Sequence, residues 1–88
     1  MLLEYESEYG QKREIGQPQT FEEVVRMCRN FLESVPMNIY YWEWQLGDDM
    51  WILDFGSYRR FIILSQIKDG LSQEFEEYYS KGEKNGKV

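Results

Sequence analysis

The stretch NIYYWEWQLGDDMWILDF, residues 38–55, contains all three tryptophans of the chain and predicts a β-hairpin. Its apolar residues alternate on both sides of Asp48 and Asp49. A loop with an even number of residues at this point makes one face of the hairpin wholly apolar. The residues that then face each other are Leu46 and Trp51, Trp44 and Leu53, and Trp42 and Phe55. Because register follows the pairing that buries one complete face, we predict the even-numbered loop.

A third strand is predicted in the run RRFIILSQI, residues 59–67. A three-residue loop near GSY would place Leu53 opposite Phe61 and Asp54 opposite Arg60. The face turned toward the helices would then consist of Trp42, Trp44, Leu46, Trp51, Leu53, Phe55, Phe61 and Ile63. The other face would still be rich in apolar residues, namely Ile39, Tyr41, Met50, Ile52, Ile62 and Leu64. Such a patch is typical of an interaction site unless the chain itself covers it.

Two helices and an amino-terminal strand complete the predicted fold. Thr20 and Glu23 form a capping box at the start of a helix over residues 20–35, and a second helix is expected over residues 69–82, ending at Gly82. The segment LLEYESEY alternates as a strand does, and a short strand is possible at REI. We predict an α+β fold of order β-α-β-β-β-α, an antiparallel meander of three to four strands with two helices on one face. Residues 1–80 would form this single domain, and residues 81–88 a flexible basic tail.

Composition restricts the classes of function. The chain has 88 residues, a net charge of −6, one cysteine and no histidine. The acidic charge opposes direct binding to nucleic acid or anionic membrane, and the lack of histidine removes the commonest catalytic base and metal ligand. A lone cysteine cannot form an internal disulfide, and no apolar run or basic leader indicates a membrane span or a signal peptide. We therefore expect a cytoplasmic protein that is not an enzyme and has no cofactor, metal or catalytic residue.

The element order over residues 20–82 resembles that of double-stranded-RNA-binding domains. Those domains place lysines at the start of their last helix, where they contact phosphates. Here the corresponding segment reads IKDGLSQEFEEYY, with one lysine followed by acidic residues. The resemblance therefore implies the element order alone, and no RNA-binding residue is carried over.

The most consistent function is that of a small acidic module that binds another protein. In a sharper form it is an inhibitor or regulator, of the type that mobile elements encode against nucleic-acid-acting proteins. The expected partner-binding residues are Tyr41, Ile52, Ile62, Glu4, Glu6, Glu8, Glu74 and Glu77. Two alternatives remain open: a structural homodimer packed through the outer sheet face, and a small-ligand or enzyme site in an aromatic pocket.

Overall fold

The computed structural model describes residues 1–36 and 38–85, with side chains up to residue 80. The elements, in chain order, are β1 (Leu2–Glu6), β2 (Lys12–Gly16), α1 (Phe21–Glu33), β3 (Glu43–Leu46), β4 (Met50–Asp54), β5 (Phe61–Ser65) and α2 (Leu71–Asn85). The strands form one antiparallel sheet in the order β2-β1-β5-β4-β3. The α+β class and the antiparallel sheet are therefore confirmed.

The predicted architecture is matched only roughly in its details. The sheet has five strands instead of three or four, because REI belongs to a complete strand that pairs with β1 before α1 begins. The amino-terminal strand β1 lies between β2 and β5 in the middle of the sheet. Helix α2 continues past Gly82, where the sequence predicted its end, to Asn85. The predicted flexible tail, residues 81–88, extends beyond the described residues and stays a prediction.

The register of the aromatic hairpin is confirmed within β3 and β4, whereas Trp42 and Phe55 lie just outside these paired strands. Leu46 pairs with Trp51 and Trp44 pairs with Leu53 across β3 and β4, as the even-numbered loop requires. Trp51 is only 2% exposed, and Leu53 is fully buried. This side of the sheet, which we call the inner face, is the one that meets the helices, since Phe21 of α1 and Phe75 of α2 both pack against Trp51.

The predicted register between β4 and β5 is wrong by one residue. Trp51 pairs with Leu64 and Leu53 pairs with Ile62, so that Ile62 and Leu64 lie on the inner face and are fully buried. The loop from Phe55 to Arg60 is longer than predicted, and Gly56 and Arg59 both adopt positive φ angles within it. Since side chains alternate along a strand, the one-residue shift moves Phe61 and Ile63 to the opposite face.

Helix α1 begins as its sequence predicts. The Thr20 side chain accepts a hydrogen bond from the Glu23 amide at 3.1 Å. The Glu23 carboxylate accepts from the amide of Gln19 at 2.8 Å, one residue before the usual partner in a capping box. The buried residues of α1 follow helical spacing: Phe21, Val24, Val25, Cys28 and Leu32. Neither described helix has the length and apolar character that a membrane crossing requires.

The register between β4 and β5 can be tested with two adjacent residues. We expect Ile62→Asp to prevent folding, because an unpaired carboxylate in the core costs more than about 4 kcal/mol, a large share of the stability of a small domain. Phe61→Asp should fold, because the half-buried Phe61 side chain lies on the other face. Circular dichroism and urea unfolding of both variants measure this. If Ile62→Asp folds and Phe61→Asp does not, the register predicted from sequence is correct and the one described here is wrong.

Candidate protein-binding face

The side of the sheet turned away from Trp51, here called the outer face, is organised in three rows of cross-strand neighbours. The first row runs Lys12, Glu6, Phe61, Asp54 and Glu43. The second runs Glu14, Glu4, Ile63, Ile52 and Gln45. The third contains Leu2, Ser65 and Met50. Apolar residues therefore occupy the middle of the face, and charged residues occupy its two sides.

The centre of the outer face is apolar and compact. Ile63 pairs with Ile52 on β4, and only 6% of Ile63 is exposed. Ile52 and Phe61 are half-buried, whereas 44% of Met50 is exposed. A contiguous apolar centre bordered by polar residues is the usual composition of a protein-interaction patch.

The charges around this centre are mostly negative. The outer face carries the carboxylates Glu4, Glu6, Glu14, Glu43 and Asp54, and one lysine, Lys12. Two like-charged pairs lie directly opposite each other, Glu4 with Glu14 and Glu43 with Asp54. Such pairs destabilise a sheet in isolation. They also give the face a negative potential that would attract a cationic partner.

Tyr41 borders the first row of the outer face, beside Asp54. Its side chain is 50% exposed, and its pKa is raised by partial desolvation and by the hydrogen bond to the Asp54 carboxylate. Asp54 also accepts a hydrogen bond from the amide of Gly56 at 3.0 Å. Gly56 has φ +90°, and a Cβ at this residue would lie 2.8 Å from the Cβ of Tyr40. Glycine is therefore required for the segment that carries Tyr41 to approach the end of β4.

The structure brings four of the predicted partner-binding residues together. Glu4, Glu6 and Ile52 lie on the outer face, and Tyr41 lies at its border. Ile62 does not join them, because the corrected register places it in the core. The prediction that Ile62 is available to a partner is therefore wrong, because Ile62 lies on the inner face, which the helices cover.

Glu8 is not aligned with Glu4 and Glu6, because β1 ends at Glu6. Its carboxylate accepts hydrogen bonds from two nitrogens of Arg60, at 2.7 and 3.1 Å. The hydrogen bond from Arg60 holds the pKa of Glu8 below its ordinary value. The predicted row of three strand carboxylates therefore consists of two, and Glu8 joins the end of β1 to the start of β5.

Glu74 and Glu77 lie on α2, away from the outer-face residues. Glu74 accepts a hydrogen bond from the backbone amide of Phe21 at 2.8 Å and forms an ion pair with Lys68 at 2.7 Å. It thus satisfies an amide at the start of α1 that has no partner within the helix. Glu77 is exposed and accepts a hydrogen bond from the side chain of Gln73. The carboxylate of Glu74 therefore connects α2 to the start of α1.

Sequence reasoning did not assign several residues of the outer face to this site, among them Phe61, Ile63, Leu2 and Glu14. Phe61 and Ile63 were placed on the wrong face, because the run FIIL is apolar at both parities and its alternation cannot show which residues face inward. Leu2 and Glu14 reach the face through the position of β1 and the pairing of β2. No local signal in the sequence indicates that position.

Chemically reactive groups are scarce in the described residues. Cys28 is fully buried on α1, and burial raises the pKa of its thiol to about 12, so the nucleophilic thiolate is not formed at neutral pH. Within the described part of the chain, no three histidine, cysteine or carboxylate side chains come together as a metal site would need.

Comparison with known protein families, curated proteins and solved structures gives no match for this chain.

The contact between Glu74 and the start of α1 predicts a pH-dependent stability. Lys68, followed by the Phe21 amide, holds the pKa of Glu74 below its ordinary value. This stabilisation is therefore present at neutral pH and is lost as the pH falls through the folded-state pKa. We expect Glu74→Gln to unfold with about 1 kcal/mol less free energy at pH 7, because the variant keeps an oxygen acceptor for the Phe21 amide but loses the ion pair with Lys68 and the charge on the acceptor.

The measurement is urea unfolding of wild type and variant between pH 7 and acid pH, where the difference should shrink. Glu77→Gln is the matched control, since it removes an exposed carboxylate from the same helix and should change stability little. If both variants lose the same free energy of unfolding at pH 7, Glu74 contributes only through the net charge of the protein and not through its contacts with Lys68 and Phe21.

Proposed function

We propose that this protein is a non-enzymatic module that binds another protein through the outer face of its sheet. The observation that carries the proposal is the apolar centre that half-buried Ile52 and Phe61 form around the buried Ile63, bordered by carboxylates on both sides. Exposed Met50 and Tyr41 extend this surface. The buried, unreactive Cys28 and a sequence without histidine lend it further support.

The partner proposed for this face is a protein with apolar residues flanked by lysine or arginine. Burial of the apolar centre would supply most of the affinity, and the surrounding carboxylates would set orientation and accelerate encounter. In its finer form, the proposal is that the partner acts on nucleic acid and uses a basic surface to do so, and that this cytoplasmic protein inhibits or regulates it. Glu4 and Glu6 are about 6.6 Å apart along β1, twice the spacing of phosphates along one DNA strand, so they would imitate phosphates only in part.

A homodimer packed through the outer face has less support. Two copies meeting face to face would bring their carboxylates into one interface, with a single lysine from each chain to neutralise them. Like charges that are brought together and buried in an interface without partners are costly. A small-ligand or enzyme site among the tryptophans also has less support, because Trp51 is packed between Phe21 and Phe75 and is 2% exposed.

The proposal can be tested with two exposed residues of one hairpin. Met50 is 44% exposed on the outer face, and Leu46 is 48% exposed on the inner-face side. We expect Met50→Glu to abolish capture of a specific partner from the source cells, because it adds a charge next to the apolar centre. Leu46→Glu makes the same change on the opposite side and should leave capture intact.

The readout is the set of proteins retained by each immobilised variant, identified by mass spectrometry, with folding checked by circular dichroism. A partner retained equally by both variants, or lost equally from both, would refute binding through the outer face.

The carboxylates at the border of the outer face make a separate kinetic prediction. Reversing Glu4 and Glu6 to lysine should slow association with the captured partner by at least about tenfold at low salt, while dissociation changes less, because charge steers the encounter. Reversing the exposed Glu76 and Glu77 of α2 changes the net charge equally and is the control. Surface plasmon resonance at two salt concentrations measures both rates. Identical association rates for the two double variants would assign the effect to net charge alone.

A further inference from the structure

Strand β2 forms one edge of the sheet, and none of the described strands pairs with it on the side away from β1. Lys12, Arg13 and Glu14 of this strand are all exposed. An edge strand is a template for pairing with a further strand, and proteins commonly discourage unwanted pairing at such an edge with charged side chains, especially lysine. On the outer-face side of β2, the two exposed charges are of opposite sign, Lys12 and Glu14. This pair of charges does not repel the same strand of a second copy.

The charge pattern of β2 is complementary to its own copy. Lys12 and Glu14 lie on the same side of the sheet, because they pair with Glu6 and Glu4 of β1. If a second β2 runs antiparallel to the first about a two-fold axis at Arg13, Lys12 of each copy lies opposite Glu14 of the other. We propose that this protein forms a homodimer through its β2 edges, which joins the two sheets into one continuous sheet.

Glu14 supplies a second reason for this pairing. Within one chain it lies directly opposite Glu4, and the polar contact it makes is with the side-chain amide of Gln17 at 3.2 Å. Lys12 takes part in neither of the two ion pairs found in the described residues, Arg60 with Glu8 and Lys68 with Glu74. In the dimer, Lys12 of one copy lies beside Glu14 of the other and offsets the repulsion between Glu4 and Glu14.

Arg13 lies on the two-fold axis and faces its own copy. Its guanidinium carbon lies 5.8 Å from the centre of the Phe31 ring of α1. This contact directs each Arg13 side chain toward its own helix, beside a groove of about 350 Å³ that Ile15, Met27 and Asn30 also line. The cation–π contact with Phe31 therefore lessens the repulsion between the two arginines.

This dimer goes beyond the proposed binding of a partner and is compatible with it. A two-fold axis perpendicular to the sheet leaves both outer faces on the same side, free for partner binding. Two linked faces would raise the avidity for a partner that presents two sites. The net charge of −6 on each chain opposes association. We therefore expect a weak dimer at physiological salt, with monomer and dimer both present over a range of protein concentrations.

Sedimentation equilibrium of the full chain tests the proposal directly. The mass should rise with concentration from 10.7 kDa toward twice that value. Lys12→Glu and Glu14→Lys should each weaken self-association at least tenfold, because each places like charges opposite each other twice. An equimolar mixture of the two variants should recover association, since both glutamates of the first variant then lie opposite lysines of the second.

Arg26→Glu is the matched control, because it makes the same change of charge at an exposed residue of α1. Circular dichroism establishes that each variant is folded. A monomer at every concentration would overturn the proposal, and so would equal weakening by Lys12→Glu and Arg26→Glu, which would assign the effect to net charge. A mixture that stays monomeric would also overturn it. None of these outcomes affects partner capture through Met50, so the two proposals fail independently.

Discussion

The ring of Phe21 is the point at which both helices and the sheet meet. It is 1% exposed and contacts five other aromatic rings: Trp44, Trp51, Phe75, Tyr78 and Tyr79. Its amide donates to Glu74 of α2, so the same residue is held by packing on one side and by a charge-assisted hydrogen bond on the other. A small domain has few residues with which to build a core, and large aromatic side chains bury the most area per residue.

Because the large apolar side chains are packed on the inner face, the outer face has a different composition. Trp51, Leu53, Ile62 and Leu64 are all committed to the inner face. The outer face is left with Ile52, Ile63 and Phe61 between two groups of carboxylates, and the proposed binding of a partner depends on this composition. The β2 edge adds a surface of mixed charge to an otherwise acidic protein. The two surfaces account for the proposed partner and the proposed second copy separately.

The sequence was sufficient to predict strand register where the alternation of apolar and polar residues was unambiguous. Alternation around Asp48 and Asp49 predicted the register of β3 and β4, because the competing register would have divided the apolar residues between the two faces. It was insufficient for β5, where FIIL is apolar at both parities and the loop length depends on positive φ angles at Gly56 and Arg59. The roles of Glu8 and Glu74 could not be predicted either, because their partners Arg60 and Phe21 lie 52 and 53 residues away in sequence.

Two adjacent and buried isoleucines lie on opposite faces of the sheet, Ile62 on the inner face and Ile63 on the outer face. The proposed function depends on this division. Methyl-resolved nuclear Overhauser contacts of Ile62 and Ile63 test it most directly. We expect contacts between the Ile62 methyl groups and Leu53, and between those of Ile63 and Ile52. The opposite result, with Ile63 in contact with the core and Ile62 beside Ile52, would contradict both the fold and the face on which the proposed function depends.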